Sequence, residues 1–168
     1  WPIPKVRSSY DNIISSDGRW WAGGVTGTNF IGLVDLQTDQ VWELETPTVV
    51  SAPARGGFDR NGHAWFGGRG GAVLELEPET RHITEHNPPF PYEAFYEVLP
   101  DDNGDIWAWP LHGGRLLRFT PRTNSWIAYM LPEPYSHNRR TWVDNSTTPV
   151  TVWYVDHNGY MVRIQPME

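Results

Sequence analysis

The chain has 168 residues, enough for one domain with its own core and too few for two large folded domains. It contains no cysteine, which excludes disulfides, Cys-ligated zinc, covalent haem and cysteine nucleophiles. Thirteen Lys and Arg against twenty Asp and Glu give a formal net charge of −7, a balance that argues against a general nucleic-acid or anionic-membrane binder.

Sixteen Gly, fifteen Pro and ten Trp suit many short strands separated by turns and leave few places for an uninterrupted helix, so the expected class is all-β. No apolar run approaches the roughly 18–20 residues of a membrane-spanning helix. The chain opens on Trp1-Pro2-Ile3-Pro4, which matches Tyr129-Met130-Leu131-Pro132 at the end of a later strand. The expectation is that residues 1–4 end the outer strand of a preceding unit, and that the chain, lacking an initiator Met, is a portion of a longer one.

From there the sequence repeats. Trp21, Trp65, Trp107 and Trp153 are spaced by 44, 42 and 46 residues. Asp17-Gly18-Arg19-Trp20-Trp21 is answered by Asn61-Gly62-His63-Ala64-Trp65 and by Asn103-Gly104-Asp105-Ile106-Trp107. Asp-Gly or Asn-Gly between apolar runs predicts a hairpin, with a type I′ turn as the expected form and all three hairpins in the same register. After each Trp come a Gly-rich loop and a short strand: Gly32-Leu33-Val34-Asp35-Leu36, Ala72-Val73-Leu74-Glu75-Leu76, then Arg115-Leu116-Leu117-Arg118-Phe119. A polar turn and an outer strand follow, at Val41-Trp42-Glu43-Leu44, His82-Ile83-Thr84-Glu85 and Trp126-Ile127-Ala128-Tyr129-Met130-Leu131. A fourth copy, with its first turn replaced by residues 145–149, ends before its outer strand.

Four strands in roughly forty residues are the signature of a propeller blade, because a twisted four-stranded sheet buries both faces only between neighbours. The prediction is a β-propeller of four-stranded antiparallel blades, a partial ring or small propeller. Its repeats are expected at about 5–46, 47–88, 89–132 and 133–168, within a single region over 1–168. The repeated Trp is expected to fill the gap between blades.

Asp101-Asp102-Asn103-Gly104-Asp105-Ile106-Trp107, Leu117-Arg118-Phe119-Thr120-Pro121 and Tyr129-Met130-Leu131-Pro132 follow a loose blade pattern, as do Arg139-Arg140-Thr141-Trp142-Val143-Asp144 and Val162-Arg163-Ile164-Gln165-Pro166. In these motifs the chain resembles the streptogramin B lyase (virginiamycin B lyase)-like β-propellers. The resemblance implies a seven-bladed ring and, for members with lyase activity, metal-assisted opening of a cyclic depsipeptide by His and Glu residues near magnesium. Together with the missing Met, it also implies a periplasmic or secreted location.

In such a fold the loops from outer strand to next inner strand (47–55, 87–97, 132–141) share a face with the loops from second to third strand (23–30, 67–71, 110–114, 156–159). Binding residues concentrate in loops on a rigid scaffold. His112, His137 and His157 are the candidate catalytic residues, since imidazole titrates near neutrality and binds divalent cations. Arg55, Arg69, Tyr92, Glu93, Tyr96, Arg115, Arg139, Arg140 and Asp156 are the candidate ligand-binding residues. The arginines suit a carboxylate or phosphate, or pair with Glu93, Asp144 or Asp156; Tyr92, Tyr96 and Tyr135 suit sugar or peptide stacking. His63, His82 and His86 read as structural or exposed.

Gly67-Gly68-Arg69-Gly70-Gly71 lacks nucleotide-binding spacing, and Asp101-Asp102-Asn103-Gly104-Asp105 lacks the glutamate of a calcium loop. The leading expectation is a binding or interaction module of a larger exported protein, with another domain or chain completing the propeller. The alternatives are a metal-assisted, magnesium-dependent carbon–oxygen lyase acting on a cyclic ester or peptide-like compound, and a carbohydrate-binding module. No nucleic acid and no membrane span are expected.

Overall fold

The computed structural model describes residues 1–6, 9–132 and 140–167. Four antiparallel sheets follow one another in chain order. The first holds β1 (Ile13–Ile14), β2 (Trp20–Gly24), β3 (Phe30–Asp35) and β4 (Gln40–Glu45). The second holds β5 (Pro53–Phe58), β6 (Ala64–Gly68), β7 (Val73–Glu77) and β8 (His82–His86), and the third β9 (Phe95–Pro100), β10 (Ile106–Pro110), β11 (Arg115–Thr120) and β12 (Ser125–Met130). The last has β13 (Thr141–Asp144), β14 (Thr151–Val155) and β15 (Met161–Ile164). Apart from one 3₁₀ turn at Pro121–Thr123, the described residues form no helix, and none is long and apolar enough to cross a membrane.

The first strands of successive sheets are neighbours, β1 beside β5, β5 beside β9 and β9 beside β13, which makes them the inner strands of an open propeller arc. A single parallel bridge, Arg55 to Glu97, joins the second and third sheets at this inner edge. Burial follows position. Every residue of β6 and β10 is buried, because sheets cover both faces of these strands and they need apolar or small side chains throughout. The outer strands β4 and β12 are partly exposed; β4 carries Gln40, Glu43 and Glu45 among its apolar residues, and Ser125, Ile127 and Met130 are the exposed positions of β12.

Three apolar cores fill the gaps between sheets. Trp20, Ile31 and Leu33 meet Phe66, Leu74 and Leu76 in the first. Trp65 and Val73 meet Phe95, Leu117 and Phe119 in the second; Trp107, Trp109 and Leu116 meet Val152 and Tyr154 in the third.

The hairpin turns correct the expected type I′ geometry. Only the glycine has positive φ, at +83° in Gly62 and +84° in Gly104, while Asn61 and Asn103 do not. Each turn is closed by the glycine N–H donating to the carbonyl of an aspartate three residues earlier, Asp59 or Asp101. A glycine in the left-handed region then rejoins the strand, as in a three-residue hairpin with a bulge. The aspartate is the reason for this choice. Asp101 Oδ1 accepts the N–H groups of Asn103 (2.8 Å) and Asp105 (3.0 Å), and its Oδ2 accepts Trp107 Nε1 (2.9 Å). Asp59 repeats all three bonds with Asn61, His63 and Trp65. One carboxylate thus fixes a turn and aims the inter-sheet tryptophan.

The first hairpin departs from this register. Its closing pair is Ser15 and Trp20, one residue longer than the Asp59–His63 and Asp101–Asp105 closures. Ser15 Oγ accepts the Trp20 N–H at 2.8 Å where the other sheets use a carboxylate. A shift of one residue turns every side chain to the other face. Trp20, not the period-matched Trp21, therefore enters the core against the second sheet, and Trp21 faces Trp1 and Ile3 on the far side. There Val6 is fully buried, and the N–H groups of Lys5 and Val6 donate to Glu43.

At the other end the arc stays open. Trp142, Val155 and Met161, on the face of the fourth sheet turned away from the third, are 70, 58 and 73% exposed. With Trp153 they line a groove of about 460 Å³ that reaches Gly56, Glu97 and Leu99 on the inner strands.

Candidate functional site

The inner strands and their loops bring together groups far apart in sequence. Arg55 leaves β5, and Arg69 leaves the β6–β7 loop, which is latched by Arg69 N–H to the Ala52 carbonyl and Gly70 N–H to the Ser51 carbonyl. Tyr96 comes from β9, and Tyr10 from the segment before β1. The tyrosine rings meet edge to face at 5.7 Å, with their hydroxyls hydrogen-bonded. Both guanidiniums lie against both rings: Arg55 Cζ is 5.1 Å from Tyr10 and 5.6 Å from Tyr96, and Arg69 Cζ is 5.4 and 5.3 Å away. Cation–π attraction and the planar fork of arginine both favour this packing.

The electrostatics are unequal. Asp11 Oδ1 lies 3.7 Å from Arg55, while its Oδ2 accepts the Gly56 N–H at 3.3 Å. Burial pulls the Arg55 pKa down, but a hydrogen bond to Tyr96 and the charges of Asp11 and Glu97 outweigh it and leave the guanidinium above its ordinary value. Among the described residues Arg69 has no ion-pair partner, and the Nε atoms of both arginines are buried without a hydrogen bond.

Of the other predicted arginines, Arg115 and Arg140 pair with acids. Arg115 binds buried Glu93 and lies over Phe90, 5.1 Å from its centroid. Arg140 Nη1 reaches buried Glu97 at 3.2 Å, and Glu97 also accepts Thr141 N–H (2.6 Å) and Oγ1 (2.7 Å), which ties β9 to β13. Asp156 is buried as the clamp of its turn, accepting the Asn158 N–H. Tyr92 is 99% exposed at φ +63°, whereas Tyr96 is 5% exposed inside the arginine–tyrosine box, so of the two only Tyr92 offers a ring face to solvent.

His112 lies exposed in the β10–β11 loop and His157 in the β14–β15 turn. Tyr135, His137 and Arg139 lie outside the described residues. Among the described residues no group of three or more His, Asp or Glu is arranged to hold a metal ion. His63 and His86 instead both donate to Glu75, at 2.7 and 2.8 Å, and His86 stacks on Trp65. Burial pushes the Glu75 carboxyl up, and the two histidines outweigh it and hold it below its usual range.

Sequence reasoning missed Tyr10 and Asp11. The signal was available, since they lead into β1 as residues 47–55 lead into β5, and this first connection belongs to the same face.

No protein-family model and no curated protein sequence matches the chain. Solved structures do. Virginiamycin B lyase from Staphylococcus aureus superposes with a TM-score of 0.80 at 18% identity, over 100% of this chain and 58% of the lyase. A streptogramin B lyase gives 0.78 at 22% identity over 99% and 57%, and YCF48 bound to a D1 peptide gives 0.73 at 14% over 95% and 51%. The chain thus spans little more than half the length of these propellers, and along that length it is similar in fold to the virginiamycin B lyase-like β-propellers.

Proposed function

We propose that this chain is a propeller binding module of an exported protein, and that the open face of its fourth sheet docks a further antiparallel sheet supplied by another domain or chain. The observation that carries this reading is the row Trp142, Val155 and Met161, large apolar side chains left more than half exposed on a face whose three preceding counterparts are filled by the next sheet. An apolar patch of this kind marks an interaction surface. A sheet is the fitting occupant because it continues the packing already used three times, and Trp153 with Arg163 over its ring repeats the Trp107 and Arg118 pair that meets the fourth sheet. The peptide bound by one structural neighbour is a precedent for propellers holding polypeptide.

Native mass spectrometry of the chain, alone and with co-purifying proteins, with and without magnesium, tests this. The expected result is a multichain mass that the double variant Trp142→Lys, Met161→Glu reduces to monomer. A wild-type monomer that binds no apolar dye and retains a divalent ion would overturn the docking reading in favour of the lyase alternative.

A further inference from the structure

From an observation separate from the docking face, we propose that Arg55 and Arg69, boxed by Tyr10 and Tyr96, form a binding site for a single oxyanion, a carboxylate or a phosphate. Two cations share one pair of rings, and like charges held together raise each other's cost unless an anion lies between them. The local carboxylates supply it only to Arg55. Asp11 serves Arg55 at 3.7 Å and the Gly56 N–H, and Glu97 is occupied by Arg140 and Thr141. Arg69 is left with aromatic contacts only among the described residues, an excess of positive charge in a chain of net charge −7.

The geometry suits an oxyanion. The tyrosine rings flank the guanidiniums, and an arginine fork binds carboxylate or phosphate through its edge with paired N–H donors. The site opens outward, since Tyr10 is 37% exposed and the Arg55 side chain 21%. It is also built in advance: β5 carries Arg55, and two backbone hydrogen bonds fix the loop that carries Arg69. A preorganised cationic pair loses little entropy when its ligand arrives.

The test is calorimetric titration of the chain with inorganic phosphate, with an N-acetylated tripeptide bearing a free C-terminal carboxylate, and with the C-terminal amide of the same peptide. The expected result is saturable binding of phosphate or the free acid, no binding of the amide, and a loss of roughly tenfold or more in Arg69→Gln, with Arg69→Lys intermediate. Tighter phosphate binding assigns the site to phosphoryl ligands, and tighter free-acid binding to carboxylates. The same titration on the Trp142→Lys, Met161→Glu variant must give unchanged affinity, which separates this site from the docking face. Absence of saturation by any probe up to about 50 mM, or equal affinity in wild type and a folded Arg69→Gln, overturns the proposal.

Discussion

Removing the Asp101 carboxylate should cost far more than its place in a surface turn suggests. The residue is 4% exposed and accepts three hydrogen bonds, from the Asn103 and Asp105 N–H groups and from Trp107 Nε1. In Asp101→Ala the Asn103 N–H, in an exposed residue, turns to water at little cost. The Trp107 indole is 2% exposed and Asp105 8%, so their N–H groups are left unsatisfied, at about 1–3 kcal/mol each. The total is roughly 2–6 kcal/mol, a large share of the 5–15 kcal/mol that holds an ordinary domain together. Urea unfolding should show the midpoint falling by roughly 1–3 M. Asp102→Ala, one position on, removes an exposed ion pair with Arg60 and should cost about 1 kcal/mol or less. Asp59→Ala breaks the same three bonds in a less buried turn and should fall between the two. If Asp101→Ala and Asp102→Ala unfold at the same urea concentration, the clamp is not what holds the hairpin and the tryptophan together.

Trp20→Ala, which empties the core between the first two sheets, should cost about 3–5 kcal/mol and more than Trp21→Ala; the reverse order in thermal unfolding would refute the shifted register. Glu75 has a carboxyl held below its ordinary value of 4.5, so it adds stability that is full above that pH and lost as pH falls through the lower folded value. The melting-temperature gap between wild type and Glu75→Gln should therefore be present at pH 5 and close toward pH 2, and a gap that grows on acidification from pH 5 would contradict the His63–Glu75–His86 arrangement. Gly56→Ala would place a Cβ 1.7 Å from the Trp65 carbonyl oxygen, so β5 must leave β6, and soluble yield and cooperative unfolding should both drop sharply.

The architecture was legible because blade packing is written into short-range pattern. A left-handed glycine, an aspartate three residues before it and a tryptophan three after it are local requirements of one turn, so their recurrence in the chain reports the recurrence of the sheet. The same locality explains the two errors. Asn-Gly suggested a type I′ turn because the pair alone fits one; the competing influence was the Asp59 or Asp101 carboxylate, which rewards a turn that points two N–H groups at it. The Trp20-Trp21 doublet left both registers open, and Ser15 in place of aspartate selected the longer closure.

The site lies beyond what pattern can supply, because its distances are set between sheets. Arg55 and Arg69 could be assigned to one face from loop counting, but nothing in the sequence shows that Glu93 takes Arg115 and Glu97 takes Arg140 while Arg69, among the described residues, keeps only tyrosine rings. That outcome depends on the parallel bridge between Arg55 and Glu97, a single contact across residues 42 positions apart, which sets β5 beside β9 and so decides which acid each cation can reach. A chain that spends its nearby carboxylates on joining sheets and leaves two arginines against aromatic faces has assigned its acids to the fold. The charge of Arg69, which among the described residues no acid pairs with, is then what the proposed oxyanion would meet at the inner edge.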